Sequence, residues 1–285
     1  MPSAKAGLPF SKLEALGNDF MLIDARRRAF EADEQLVQRW GDRRLGVGFD
    51  QMLILRKPTD PAHACRVDIR NCDGSRAEQC GNGMRAVALW LRMNAGANGP
   101  VLLETPAGTV EAAPEADDLF RASLTVPRFE PAALGLSGVD AFPWSLRAGS
   151  EALTVHGASL GNPHLLVISH DPPDRDRLER VAGIVGGRPE LTRGANIGLA
   201  RIVDRQHVTL RVFERGAGPT RACGSGASAA AAMLIRLGHV DSPVNIDQPG
   251  GRLVVDWAGD GSPVVTSGPA RHVFEGVIAW PTANP

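Results

Sequence analysis

The chain repeats itself once, and this constrains its fold more than any other feature. Leu-Gly-Asn stands at 16–18 and again at 160–162, an offset of 144. Cys-Gly-x-Gly stands at Cys80–Gly83 and at Cys223–Gly226, an offset of 143. Pro-x-Gly stands at Pro106–Gly108 and at Pro249–Gly251, again at 143. Each match alone is trivial. Three in one order at nearly one offset indicate an internal duplication. A chain of 285 residues then divides into two halves of ordinary domain size.

The pattern of apolar residues fits two halves. FMLID (20–24), QMLIL (51–55), RVDIR (66–70) and VLLET (101–105) read as strands of the first. HLLVI (164–168), ARIV (200–203), VTLRVFE (208–214) and RLVVD (252–256) read as strands of the second. MRAVALWLRM (84–93) and ASAAAAMLIRL (227–237) read as one central apolar helix per half, each opened by its Cys-Gly-x-Gly turn. VFEGVIAW (273–280) reads as a last strand that returns to the first half. Proline and charge interrupt the pattern near Arg121–Pro131. The expectation is an α+β fold of two pseudo-symmetric domains. Each is a mixed or mostly antiparallel sheet, or an open barrel, around a central helix, with the active site in the cleft between them. Residues 1–122 plus 269–285 would form the half carrying Cys80, and residues 123–268 the half carrying Cys223.

A cysteine at a helix N-terminus meets unpaired backbone N–H groups and about half a positive charge. Its pKa is expected to fall below about 8.5. The same N–H groups can hold a carboxylate, and glycine lets a ligand approach the backbone. Each turn therefore offers a reactive sulfur and an anion cradle, and the two would face each other across the cleft if the halves pack with approximate two-fold symmetry. That suits inversion of a stereocentre, in which a proton leaves one face and another returns to the opposite face. A thiolate and a thiol can exchange the roles of base and acid. Other readings of a cysteine are a small buried hydrophobe, a Cys-His nucleophile or a redox pair. A Cys-His nucleophile would not explain the duplication, and a redox pair is less typical for sulfurs far apart in sequence and outside C-x-x-C. Cys65 and Cys72 lack the glycine context and read as structural.

Other classes are disfavoured by composition. A net charge of -1 gives no basic field for nucleic acid or an anionic membrane. No stretch approaches the roughly 18 apolar residues of a spanning helix. The first residues carry no signal-peptide pattern, so a cytoplasmic location with reduced cysteines is expected. The cysteine spacing is poor for zinc, and no metal site is expected. The lysines are Lys5, Lys12 and Lys57, which leaves little for a Schiff base and no P-loop lysine. No cofactor is expected.

At these residues the sequence resembles the diaminopimelate epimerase family, over nearly its whole length. The segments are KLEALGNDFMLID (12–24), GFDQMLIL (48–55), NCDGSRAEQCGNGMRAVA (71–88), TPAG (105–108), GNPH (161–164), GANIG (194–198) and FERGAGPTRACGSGASAAA (213–231). The resemblance implies interconversion of LL- and meso-2,6-diaminopimelate without pyridoxal phosphate or metal. It implies Cys80 as the base toward the LL isomer and Cys223 as the acid. The backbone of Gly81, Asn82, Gly224 and Ser225 would hold the reacting carboxylate. Asn18, Gln51, Asn71, Asn162, Asn196, Glu214 and Arg215 match substrate-binding positions. Asparagine offers a donor and an acceptor to a zwitterion, and arginine can clamp a carboxylate. His164 and Glu214 are candidates to assist the cysteines. Two departures stand out: Cys72 replaces a small residue, and Ala86 stands where a cysteine often follows the first turn. The nearest alternative is an epimerase of the same fold acting on another amino acid, such as a proline or hydroxyproline racemase-like enzyme. A non-catalytic thiol or metal-binding protein is the reading from another class. The implied partner is a small-molecule substrate, without nucleic acid or membrane, and a homodimer is compatible with it.

Overall fold

The computed structural model describes residues 7–116, 118–148 and 151–279. The first half runs β1 (Gly7–Ala15), β2 (Asn18–Asp24), α1 (Glu34–Gly41), β3 (Gln51–Arg56), β4 (Cys65–Asn71), β5 (Arg76–Ala77), α2 (Gly81–Ala95), β6 (Val101–Thr105), β7 (Gly108–Pro114) and β8 (Leu119–Ser123). The second opens with β9 (Trp144–Ala148) and then runs β10 (Glu151–Ser159), β11 (Pro163–Ile168), α3 (Arg175–Gly186), β12 (Asn196–Asp204), β13 (His207–Glu214), β14 (Gly218–Pro219), α4 (Gly224–Arg236), β15 (Val244–Gln248), β16 (Gly251–Asp256) and β17 (Val265–Pro269). β18 (Arg271–Ala279) follows.

The strand pairings repeat as the sequence does. β1 and β2 are antiparallel, β2 and β3 parallel, β3 and β4 antiparallel, and β4 and β6 parallel. β10–β11, β11–β12, β12–β13 and β13–β15 follow the same four senses. The meander β6–β7–β8 matches β15–β16–β17. The halves join where β8 runs antiparallel to β17, with Ala122 opposite Thr266. β18 then pairs with β1, Leu8 opposite Ile278. That is the expected return to the first half; Trp280 lies outside the described residues.

Each of the three repeated motifs occupies the same turn in both halves. Leu-Gly-Asn makes the β1–β2 and β10–β11 hairpins, and Pro-x-Gly makes β6–β7 and β15–β16. Leu16 holds φ +58, a left-handed conformation that costs a side-chain-bearing residue of order 1 kcal/mol. It is held by close packing. A β-carbon on Gly250 would stand 1.9 Å from the Leu16 carbonyl oxygen, so only glycine fits there.

Both faces of β2 are buried, which is why FMLID carries no polar alternation. Phe20 and Leu22 face the core around α2, with Met84 and Val87. Met21 and Ile23 face the opposite layer, with Leu36, Val37 and Trp40 of α1. In the second half Leu166 joins the core of α4, whereas Leu165 and Val167 pack on α3 with Leu178, Val181 and Val185. The expectation of one helix per half was therefore incomplete. α1 and α3 are outer helices with only one apolar stripe each. Their starts carry ordinary caps: Asp33 accepts from the Leu36 N–H and Asp174 from the Arg177 N–H, both at 2.7 Å. Among the described residues no helix is long and apolar enough to cross a membrane.

Candidate active site

Cys80 and Cys223 are the N-caps of α2 and α4. The Gly83 N–H donates to Cys80 Sγ at 3.2 Å, and the Gly226 N–H donates to Cys223 Sγ at 3.4 Å. The second glycine of each turn makes this possible. A β-carbon on Gly83 would lie 3.3 Å from Cys80 Sγ, and one on Gly226 would lie 3.2 Å from Cys223 Sγ and 3.0 Å from Val212. The two helix starts meet across the halves. A β-carbon on Gly224 would stand 2.8 Å from Asn82 Oδ1.

Burial sets the electrostatics and corrects one expectation. The thiols were expected to ionise more easily than usual. Instead burial pushes Cys80 up to about 12 and Cys223 well above the ordinary thiol range. The N–H donors and, for Cys80, the Arg85 guanidinium pull the other way but do not prevail. Withdrawal from water outweighs the helix terminus. Glu214 bears on both sulfurs: its charge opposes ionisation of Cys80 and of Cys223, and it hydrogen-bonds Cys223. Burial raises its own carboxyl above the usual range, while Thr220 Oγ1 donates to Glu214 Oε1 at 2.7 Å.

The remaining candidates fall into four groups. Beside Cys80, Asn18 Oδ1 faces Cys80 Sγ at 3.8 Å and Asn82 Nδ2 at 3.5 Å. Asn18 Nδ2 donates to Asp50 at 3.0 Å. Gln51 and Asn71 are opposite each other in β3 and β4, with Gln51 Nε2 donating to Asn71 Oδ1 at 2.9 Å. Gln51 Oε1 is buried without a partner, an acceptor left open to a ligand. Beside Cys223, Ser225 Oγ stands 3.7 Å from Sγ and accepts from Asn162 Nδ2 at 3.3 Å. Asn162 Oδ1 is 2.9 Å from His164 Nε2. Burial first, and then the charge of Arg215, lower His164 to about 3, so its ring is neutral. Asn196, buried in β12, accepts the Arg215 N–H at 2.9 Å. The Arg215 side chain is exposed and donates to the Arg193 carbonyl at 2.9 Å.

Gly81, the other predicted cradle residue, heads α2 against Leu124, whose Cδ2 would be 3.2 Å from a β-carbon there. Cys65 and Cys72 are free thiols, one buried and one exposed. Among the described residues no group of three His, Cys, Asp or Glu side chains could hold a metal ion. Two cavities of about 550 and 390 Å³ lie elsewhere, lined respectively by residues such as Phe129 and Arg236, and His63 and Glu104.

Sequence reasoning missed three polar groups here. Gln248 Oε1 accepts the Cys223 N–H at 2.8 Å, fixing the start of α4. Gln79, one residue before Cys80, is 8% exposed with both amide atoms unpartnered. Arg85 is wholly buried in α2 and donates to Asn82 Oδ1 at 2.6 Å. The visible signal was an arginine inside an apolar helix.

The model of the diaminopimelate epimerase family matches residues 10–125 and 157–273. The chain is 41% identical to the diaminopimelate epimerase of Stutzerimonas stutzeri over 275 residues, covering 95% of this chain and 99% of that one. It is 38% identical to that of Ectopseudomonas mendocina, over 95% and 99% of the two. Among solved structures, a hydroxyproline epimerase from Agrobacterium vitis with bound trans-4-hydroxy-L-proline is similar at TM-score 0.73. It is 14% identical, with 99% and 94% of the two chains covered, a likeness of fold.

Proposed function

The chain belongs to the diaminopimelate epimerase family, and on that premise we propose that it inverts one α-carbon of LL-2,6-diaminopimelate to give the meso isomer by transferring protons at Cys80 and Cys223. It is an isomerase. The observation that carries the mechanism is the pair of cysteine-capped helix starts packed against one another, Asn82 against Gly224.

In the forward direction the Cys80 thiolate takes the α-proton and becomes a thiol. The electron pair left on Cα delocalises into the carboxylate. The Cys223 thiol returns a proton to the opposite face and becomes a thiolate. The reverse reaction starts from that state. The N–H groups of Gly81, Asn82, Gly224 and Ser225 receive the growing negative charge, and a dry cleft strengthens them. The substrate ammonium brings positive charge beside sulfurs that burial otherwise keeps protonated. Closure of the halves around the substrate would expel water.

The distal amino-acid end is assigned to Arg215, Asn162 and Asn196, with Asn18, Gln51 and Asn71 completing the recognition. Lysine usage supports a reaction without pyridoxal phosphate: Lys12 is buried and paired with Asp19 at 2.5 Å, and Lys57 is exposed. The reading carries with it a cytoplasmic location, and a homodimer is compatible with it. The test is chromatographic: the protein incubated with LL-diaminopimelate should yield the meso isomer and should leave trans-4-hydroxy-L-proline unchanged. Turnover of hydroxyproline alone would overturn the substrate assignment.

A further inference from the structure

Arg85 carries a positive charge at 0% exposure, in the second turn of α2. Its NH2 group donates to Asn82 Oδ1 at 2.6 Å and its NH1 group to Thr266 Oγ1 at 3.3 Å, while Nε is buried without a partner. A buried guanidinium normally sits against a carboxylate. Among the described residues the one ionisable group whose field bears on Arg85 is Cys80.

The charge also organises the amides beside that sulfur. Because Arg85 can only donate, Asn82 must present Oδ1 to it and so directs Nδ2 toward Asn18 Oδ1, 3.5 Å away. Asn18 in turn donates Nδ2 to Asp50, which is bound by Arg43 at 2.7 Å. A chain of polarised amides thus runs from cation to carboxylate past Cys80 Sγ.

The duplication shows that this is one-sided. At the same offset of 143, Arg85 is replaced in α4 by Ser228, whose hydroxyl donates to the Gly224 carbonyl at 2.8 Å. Glu214 takes the place that Asn71 holds in the first half. The charged groups that bear most on Cys80 are Glu214 from the end of β13 and Asp50 from the loop before β3, which oppose its ionisation, and between them in weight Arg85 from α2, which favours it. The charged group that bears most on Cys223 is Glu214, with neutral His164 beyond Asn162.

We propose that Arg85 is the built-in counter-charge of Cys80, a positioning residue that stabilises the Cys80 thiolate and orients Asn82 and Asn18 around it, so that Cys80 ionises before Cys223 in the ligand-free cleft. The place of this order in catalysis rests on the epimerase reading; the order itself does not.

Alkylation of the full chain by iodoacetamide without substrate, followed for each cysteine peptide by mass spectrometry, reads the two thiolates separately. In the wild type the Cys80 rate should rise at lower pH than the Cys223 rate. Coincident or reversed order overturns the proposal. At a fixed pH below both midpoints, Arg85→Met should slow Cys80 about tenfold, one unit of pKa, and leave Cys223 unchanged, while Arg85→Lys should recover most of the rate. An unchanged Cys80 rate, or equal change at both cysteines, overturns it, the latter marking a merely structural arginine. If the methionine variant fails to fold, the wild-type order and the lysine variant decide. In turnover, the acidic limb of kcat/KM for Arg85→Met should move to higher pH. Failure of the alkylation test leaves meso-isomer formation intact, and failure of that formation leaves the alkylation order intact.

Discussion

Asn82 of one helix start leaves no room for a β-carbon on Gly224 of the other, because that atom would stand 2.8 Å from Asn82 Oδ1. Asn82 cannot easily yield, since Arg85 holds the same oxygen at 2.6 Å. Gly224→Ala should therefore push the two cysteine turns apart. Overpacking of this kind costs about 1–3 kcal/mol, and a displacement near 1 Å can cost on the order of 100-fold in rate. Thermal unfolding and LL-diaminopimelate turnover measure the two effects. A variant with wild-type turnover would mean that the contact does not set the cleft geometry.

Glu214 opposes ionisation of both thiols. At alkaline pH, where its own raised carboxyl is charged, Glu214→Gln should make both cysteines alkylate faster. The effect differs from that of Arg85→Met, which acts on Cys80 alone. Slower labelling of either cysteine would contradict the electrostatic role given to Glu214.

His164 should make the protein sensitive to acid. Its pKa falls from 6.5 in the ordinary ring to about 3 in the fold, through burial and then Arg215. As pH drops through this window the unfolded chain takes up a proton that the folded chain refuses. Stability therefore falls with pH, by at most about 1.4 kcal/mol per unit from this group. His164→Gln lacks this loss, so the stability difference from wild type should change steadily in the variant's favour between pH 6.5 and 3. A difference independent of pH, in urea unfolding, would contradict it.

Cys72 is exposed, whereas burial pushes the Cys65 thiol up to about 12. Mild alkylation should label Cys72 well before Cys65. Cys72→Ala should retain epimerase turnover, as this thiol is exposed and lies against Gly41 at the end of α1. Loss of turnover in that variant would bring the third thiol into the site.

Much of this was legible in the sequence because duplication leaves its mark at turns. The glycines of Gly83 and Gly226, and the hairpins around Asn18 and Asn162, recur for reasons of backbone room that survive divergence. β2, β3 and β6 could be read from continuous apolar runs. α1 and α3 were harder, since each shows only a stripe against one sheet face. β1 and β10 were also missed: Ser11 and His156 break their apolar runs, and pairing with distant β18 and nearby β9 completes them. The thiol pKa was misread for a general reason. A helix terminus is visible in a sequence, but the enclosure that outweighs it is not. Arg85 was passed over likewise, because an arginine in an apolar helix reads as a surface position until its burial is known.

The central claim is that two sulfurs exchange protons with one α-carbon from opposite faces. Epimerisation of LL-diaminopimelate in D2O, read by mass spectrometry and proton NMR, tests it most directly. Wild-type protein should form the meso isomer with deuterium at the inverted α-carbon, and Cys80→Ala and Cys223→Ala should each form none. Meso product from either alanine variant at the wild-type rate, or meso product without deuterium, would contradict the account.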